Sequence, residues 1–500
     1  MWQVAARRTL EVQAAQLPLY QVRSYQEIPE PHAKSTFSST NLEKNQKYYI
    51  EHLDMEPQTV KPKAKTGFKL MIRALRHRNF RLFFCGQSLS LIGTWMQRVA
   101  LSWLVYRLTN SPFLLGIVGF SGQIPTFLLA PFAGILADQW NKKRMVIMTQ
   151  SLATAQAFIL SFLVLTGLIT FWQILILSVF LGIINAFDIP TRQAFLVEMV
   201  EEKEDLGNSI ALNSSIVTGA RLFGPSIAGI LIALVGEGVC FLLNGISYLA
   251  VIAALLAMKI PPRISKPIRS RGLGGMKEGF IYAFGFTPIR VILLLLALVS
   301  LVGMPYAVLM PVFAKNILHG GPHALGFLMG AAGLGALIGA FYLASRNTVL
   351  GLGRMILLGA CIFGMGLIAF SFSHVLWLSL ICMLMAGFGQ MIQIASSNTI
   401  LQTIVDDDKR GRVMSFFAMS FMGMMPFGSL LGGYVAGKIG AQVTVTIGGM
   451  ACLAGAAFFA VRLPKIREMV RPIYMKIGII PEIALGIQGA TELSAIDRNH

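Results

Sequence analysis

Twelve apolar stretches, each long enough to cross a bilayer, constrain this chain more than any other feature. They lie near residues 82–106, 113–137, 145–168, 171–194, 209–233, 238–258, 290–314, 324–345, 354–372, 375–399, 412–436 and 439–462. A helix needs about 20 apolar residues to span the hydrocarbon core. Lipid offers no partner to a bare backbone, so such stretches cross it as helices. The 500 residues are 55% hydrophobic and only 13% charged, against about 25% charged in soluble domains. The expected fold is an all-α polytopic membrane protein with twelve transmembrane helices, and the lipid bilayer is its solvent.

The spans divide into two halves. The longest internal loop, 259–289, separates them six and six and carries Pro261, Pro262 and Pro267. GIINAFDIPTRQAFLVEMVEEK at 182–203 is echoed by GFGQMIQIASSNTILQTIVDDDK at 387–409, an offset of 205 residues. Both segments finish a span, pass an amide-rich exit and enter an acidic turn. The predicted divisions are an N-terminal extension at 1–66, a six-helix bundle at 67–258, a cytoplasmic linker at 259–289, a second six-helix bundle at 290–463 and a cytoplasmic tail at 464–500. The bundles are expected to be pseudo-repeats with a substrate cavity between them near the membrane midplane. Residues 1–66 are polar and aperiodic, which predicts disorder. Met55 begins a more usual lead-in, so N-terminal sequencing of native protein is expected to find the start there. From Phe68 the basic stretch FKLMIRALRHRNFR is expected to lie along the membrane surface.

The net charge of +19 invites a nucleic-acid reading. The basic residues lie instead in short loops between apolar spans: Lys142 to Arg144, Arg263 to Arg271, Arg346, Lys409 to Arg412, then Lys465 to Lys476 in the tail. Basic loops remain on the cytoplasmic side. Both termini are therefore expected in the cytoplasm, beneath a bacterial inner membrane, and no nucleic-acid partner is expected. The five cysteines lie in or at the ends of apolar segments, and the seven histidines are scattered. Neither set has metal or redox spacing, so no metal or cofactor is expected. No Walker loop, HExxH pattern or acid-base cluster at one depth points to an enzyme.

Three motifs carry functional weight. GILADQWNKKR at 134–144 closes the second span. There Gly134 admits a neighbouring helix, and Asp138 faces Lys143 and Arg144 across the turn. In the fourth span Asp188 and Arg192 are four apart, hence on one helix face. These six residues form a candidate cytoplasmic gate. The fifth span contains TGARLFGPSIAG at 218–229. Gly219, Gly224 and Gly229 permit close helix contact, and Pro225 removes a backbone donor and kinks the helix. Ordinary small-residue packing is the alternative reading.

Polar residues inside spans are costly and usually face the bundle interior. Trp95, Gln97, Arg98, Gln123, Asn185, Arg221, Gln390 and Gln393 are the candidate cavity residues. An aromatic-amide wall with one or two fixed positive charges suits a bulky, partly anionic or catechol-like ligand. The bland alternative is amides bridging helices and tryptophans in the interfacial belt. Acids are nearly absent from the spans: Asp138 and Asp188 are the two near the bilayer, both toward the cytoplasmic end.

The pattern G-x-L-A-D-x-x-x-(K/R)-(K/R)-R at 134–144 resembles the loop between the second and third spans of the major facilitator superfamily of transporters. The 218–229 motif resembles the fifth span of its proton-coupled drug exporters, with Ala228 where they prefer glycine. GQSLSLIGTWMQRVALSWLVYRLTNSP in the first span, RNFRLFF before it, FDIPTRQAF leaving the fourth and RPIYMKIGIIPE in the tail resemble one branch. That branch includes the enterobactin exporter and macrolide efflux proteins, and the resemblance covers about 68–485. It implies the major facilitator fold. It further implies a monomeric, proton-coupled exporter of amphipathic, siderophore- or drug-like small molecules that works by alternating access. An importer, or a membrane sensor or scaffold, is the competing expectation. With the cytoplasmic side shut, Asp138 is expected to pair with Arg144 and to meet the N-terminus of the eleventh span near Val413, where the helix dipole favours an anion.

Overall fold

Every apolar stretch forms a helix in the computed structural model, which describes residues 73–200, 203–259, 273–346 and 348–479. The predicted 1–66 extension, the Met55 start and the end of the tail lie outside the described residues. The first half consists of α1 Arg78–Thr109, α2 Pro112–Gln139, α3 Lys142–Leu165, α4 Phe171–Glu198, α5 Lys203–Val235 and α6 Glu237–Ala257. A short helix, α7 Leu273–Gly285, lies in the linker. The second half consists of α8 Thr287–Ile317, α9 Gly321–Ala344, α10 Leu352–Phe372, α11 Leu376–Ile404, α12 Asp407–Ile439 and α13 Ala441–Lys476.

Eleven of these helices are long and apolar enough to cross a membrane. The twelfth expected span, α1, falls short on hydropathy because Gln87, Thr94, Gln97 and Arg98 interrupt it. It nevertheless packs along α5 and α6 inside the bundle. Tight turns fix the order of the first spans. Ser111 accepts from the Leu114 amide with Pro112 opening α2, and Asn141 accepts from the Arg144 amide at the start of α3. Thr170 and Gln173 form a reciprocal capping box on α4. Each cap satisfies donors that a helix start leaves bare.

Packing repeats between the halves. α1 lies on α5 and α6, α3 on α4 and α6, and α2 on α4. In the second half α8 lies on α12 and α13, α10 on α11 and α13, and α9 on α11. This is the expected pair of six-helix pseudo-repeats. The outer surface carries exposed apolar side chains such as Phe132, Trp172, Trp377 and Val461, as a lipid-facing surface requires. Two spans of the second half are irregular: α8 has π-turns at Val299–Gly303 and Phe313–Ile317, and α12 has one at Met419–Gly423. Such bulges bend helices where side chains must be re-aimed.

The linker is not a bare tether. Glu278 on α7 pairs with Arg412 of α12 at 2.8 Å, and Phe280 and Phe284 set their rings against Phe416. The described linker helix is thus fixed to the second half. The chain before α1 is anchored too. Asp205 near the start of α5, fully buried, takes Arg73 at 2.5 Å, Arg76 at 3.1 Å and His77 at 2.8 Å. The described part of the basic stretch predicted to lie on the membrane surface, from Arg73 on, leads into α1 at Arg78. At the other terminus α13 continues through Pro464 and Pro472 to Lys476, beyond the predicted bundle boundary at 463.

Candidate functional site: a cavity between the halves

The halves are sealed together at one end of the bundle. On α2 an added Cβ at Gly116 would lie 2.6 Å from the Ser429 carbonyl oxygen and 2.9 Å from the Gly433 Cα of α12. On α9 a Cβ at Gly326 would lie 2.5 Å from the Pro225 carbonyl oxygen and 2.8 Å from the Gly229 Cα of α5. These two crossings are pseudo-symmetry mates. Pro112 and Gly116 open α2 as Pro322 and Gly326 open α9, at the same spacing. Rings extend the α2–α12 contact: Phe113 with Tyr434, and Phe120 and Phe127 with Phe427, each at 6.0 Å. Beyond them Lys315 donates to Asn110 at 2.6 Å and Asn316 to the Tyr106 hydroxyl at 2.7 Å, linking α8 to α1. A cleft of about 360 Å³ bounded by Tyr106, Asn110, Asn316 and Gln442 lies on this sealed end. It is remote from the arginines described next.

At the opposite end each half closes on itself. The last turns of α4 are tied to α3, where Lys142 reaches Glu198 at 2.8 Å. The opening segment of α12, Asp407–Ala418, packs on α7, α8 and α11. Among the described residues, the contacts at the end that carries the basic turn 142–144 and the linker helix run within each half, in contrast to the glycine crossings at the sealed end.

Two arginines face this interior over one indole. The Arg98 guanidinium lies 4.8 Å from the Trp95 ring centroid, and that of Arg221 lies 5.9 Å from it. Trp95 and Arg98 are three apart on α1, so they share a face. Arg98 is solvent-exposed although it sits midway along a helix of the bundle, as a side chain lining an open cavity must be. Arg221 also donates to the Gln390 side-chain oxygen of α11 at 3.3 Å, joining the halves near mid-depth. Gln390 in turn contacts the Met304 sulfur of α8. Arg221 and Arg192 are both close enough to Arg98 to repel it.

Asp188 sits beside this cluster with every described contact satisfied. Its carboxylate pairs with Arg192 at 3.1 Å and accepts from Thr149 at 2.8 Å and Gln150 at 2.9 Å. It is almost fully buried. The i,i+4 relation to Arg192 is the one the spacing predicts.

Two other expected cavity residues, Gln97 and Gln393, are buried. Gln97 is buried inside the first half: it donates to Gln156 at 3.0 Å and accepts from Asn244 at 2.6 Å. One residue along a helix turns the side chain by about 100°, so Gln97 and Arg98 point apart. Gln393 is fully buried on α11, beside the close crossing of α10 at Gly359. Gln123 bonds back to the Gly119 carbonyl at 3.0 Å, and Asn185 is partly exposed one turn before Asp188.

The glycine-proline motif is divided among three surroundings. Gly224 abuts Trp95 and Ile92 of α1, Gly229 and the Pro225 carbonyl abut α9, and Gly219 faces open space. Of the gate residues, Lys143 donates to the Met258 carbonyl at 2.8 Å, tying α3 to the end of α6. Arg144 is exposed at the start of α3. Gly134 and Asp138 lie on α2, but their side-chain surroundings are outside the described residues.

Reasoning from sequence missed the partner glycines Gly116 and Gly326, and the α1–α8 contacts of Lys315 and Asn316. The repeated Pro-x-x-x-Gly at 112–116 and 322–326 was the available signal for the first set. The second set had none, because its partners are about two hundred residues apart.

Comparison with known proteins agrees with this architecture. The family profile described as transmembrane secretion effector matches residues 71–476. The chain is 28% identical over 393 residues to the staphyloferrin A transporter of Staphylococcus aureus, covering 77% of this chain and 97% of that one. It is 23% identical over 383 residues to macrolide efflux protein A of Streptococcus pyogenes, covering 73% and 92%. Among solved structures, a bacterial homologue of the iron transporter ferroportin in an inward-facing state aligns with TM-score 0.58 at 18% identity, covering 78% of this chain and 98% of that one. A POT family transporter aligns with TM-score 0.64 at 10% identity, covering 78% and 96%. The match spans most of the chain and both of its halves. The protein is therefore a multi-pass membrane transporter, not an enzyme, and belongs to the transmembrane secretion effector family of the major facilitator superfamily.

Proposed function

We propose that this protein is a secondary active exporter of amphipathic small molecules, working as a monomer in a bacterial inner membrane with both termini in the cytoplasm. It moves its substrate outward by alternating access in exchange for protons. The observation that carries this reading is the one-ended seal between the halves. The glycine crossings at Gly116–Gly433 and Gly229–Gly326 shut the end away from the basic loops. With those loops in the cytoplasm, the arginine-lined interior receives its substrate from inside.

The cycle follows from the same contacts. Substrate enters beside Trp95, Arg98 and Arg221, and the halves then rock so that the glycine crossings separate. Asp138, with Lys143 and Arg144, latches the cytoplasmic side while the outer side is open. A ligand shifts such an equilibrium only as far as it binds one state better. Asp188 is the proton carrier of this cycle, exchanging its partner Arg192 as the halves rock. The names of the relatives, a staphyloferrin A transporter and a macrolide efflux protein, support a siderophore- or drug-like cargo.

Cells with and without the protein test the reading. Expressing cells should retain less of at least one compound from a panel of siderophores, macrolides and dyes, and an uncoupler should erase the difference. Higher retention in expressing cells would instead make the protein an importer.

A further inference from the structure

The interior carries more positive charge than the fold requires. Arg98 and Arg221 stand over the same Trp95 ring at 4.8 and 5.9 Å, and Arg192 lies close enough to Arg98 to add to the local potential. Among the described residues, the one carboxylate deep in either bundle is Asp188, already held by Arg192, Thr149 and Gln150. The acids near the starts of α5 and α6 are taken as well: Asp205 by Arg73, Arg76 and His77, and Glu237 by Arg107 at 2.8 Å. Among the described residues no ion pair neutralises Arg98 or Arg221. Arg221 leans on the neutral amide oxygen of Gln390 at 3.3 Å.

Uncompensated cations inside a membrane bundle are expensive and mark functional sites. The local geometry also leaves these two ready to bind. A guanidinium lying on an indole uses its flat face, so its N–H donors at the edge remain directed outward, one of those of Arg221 to Gln390. Those donors form a fork that matches a carboxylate in two parallel hydrogen bonds. The nearest surroundings supply the apolar face of Trp95 and the Met304 sulfur beside Gln390. A cationic cargo would meet like charge here, which acts as rejection as effectively as attraction selects.

We infer that the cavity takes an amphipathic polyanion: a small molecule with at least two carboxylate-type groups, one for each of Arg98 and Arg221, and an apolar body packed along Trp95. This rests on the export reading in taking the open interior as the substrate path. Arg192 is kept off the ligand by Asp188 in this state. Among the described residues, Arg98 and Arg221 are therefore the cations over Trp95 that no ion pair neutralises, and a dianion neutralises both.

Two dyes built on the same ring system separate charge from shape: carboxyfluorescein, a polyanion near neutral pH, and rhodamine 6G, a cation. Fluorescence anisotropy with the full chain in lipid nanodiscs should show carboxyfluorescein bound and rhodamine 6G not bound. This contrast needs no variant. Arg98→Gln and Arg221→Gln should each weaken carboxyfluorescein binding by about tenfold or more, while Arg98→Lys and Arg221→Lys, which keep the charge but lose the fork, should weaken it less. Empty nanodiscs of the same lipid should bind neither dye to the same extent, which separates the cavity from the bilayer. Binding of rhodamine 6G but not carboxyfluorescein, or carboxyfluorescein binding unchanged in both glutamine variants, would overturn the anion site. Export of rhodamine 6G from cells in that case would leave the exporter reading intact while removing the polyanion class.

Discussion

Gly229 of α5 and Gly326 of α9 meet backbone to backbone: a Cβ on either would come within 2.9 or 2.8 Å of the other's Cα. The pseudo-symmetric pair Gly116 and Gly433 meets in the same way on the other side of the molecule. The two crossings together seal one end of the cavity. They give Gly229 of the fifth-span motif its physical content, since a larger side chain there acts on the interface between the halves, whereas Gly224 packs on α1 within the first half.

Gly229→Val should therefore hold the sealed end open. Overpacking a tight contact costs about 1–3 kcal/mol, a shift of roughly 5–150-fold in a two-state equilibrium. A cysteine placed at Ser226 should be labelled faster by a membrane-impermeant maleimide added from outside when Gly229→Val is also present. Unchanged labelling would mean the crossing is ordinary packing.

Asp188→Asn keeps the partners Thr149 and Gln150 but leaves Arg192 without its counter-ion. Transport by this variant should fall and lose its sensitivity to an uncoupler, because the proposed proton site is gone. The double variant Asp188→Asn with Arg192→Gln should be no worse than the single one, since the residues form one unit. Efflux that survives Asp188→Asn and still collapses with the uncoupler would remove Asp188 as carrier.

Much of the fold was legible because apolar length and loop charge are one-dimensional signals. The apolar stretches that form the long helices and the Asp188–Arg192 face follow from spacing alone. Cavity residues were less legible, for a geometric reason. Arg98 faces the cavity and Gln97 is buried with Gln156 and Asn244, although both are polar neighbours on α1. Counting polar residues does not separate them. The i,i+3 relation of Arg98 to Trp95 does, once one of the two is placed. Inter-half contacts such as Lys315 with Asn110 depend on how two bundles dock, and no local pattern encodes that.

Gln97→Ala should accordingly behave as a core substitution. It strands the Gln156 and Asn244 side chains, at about 1–3 kcal/mol for each buried group left unsatisfied. The thermal midpoint of the detergent-solubilised protein should drop, while the substrate affinity of the folded fraction stays the same. Loss of affinity with an unchanged midpoint would return Gln97 to the cavity wall.

Asp138→Asn tests the proposed latch. A charge at a helix terminus is worth about 0.3–1 kcal/mol, so outward-facing occupancy should fall roughly two- to fivefold by the same conversion. Transport should fall with it while the amount of protein in the membrane is unchanged. Full transport by Asp138→Asn would reduce Lys143 and Arg144 to topology signals.

The central claim is that substrate enters from the cytoplasmic side through the open end and leaves by parting the glycine crossings. Inside-out membrane vesicles carrying the protein, acidified within by a respiratory substrate, measure this directly. They should accumulate a transported compound and release it when an uncoupler is added. Accumulation in right-side-out vesicles alone would contradict the claim and make the protein an importer.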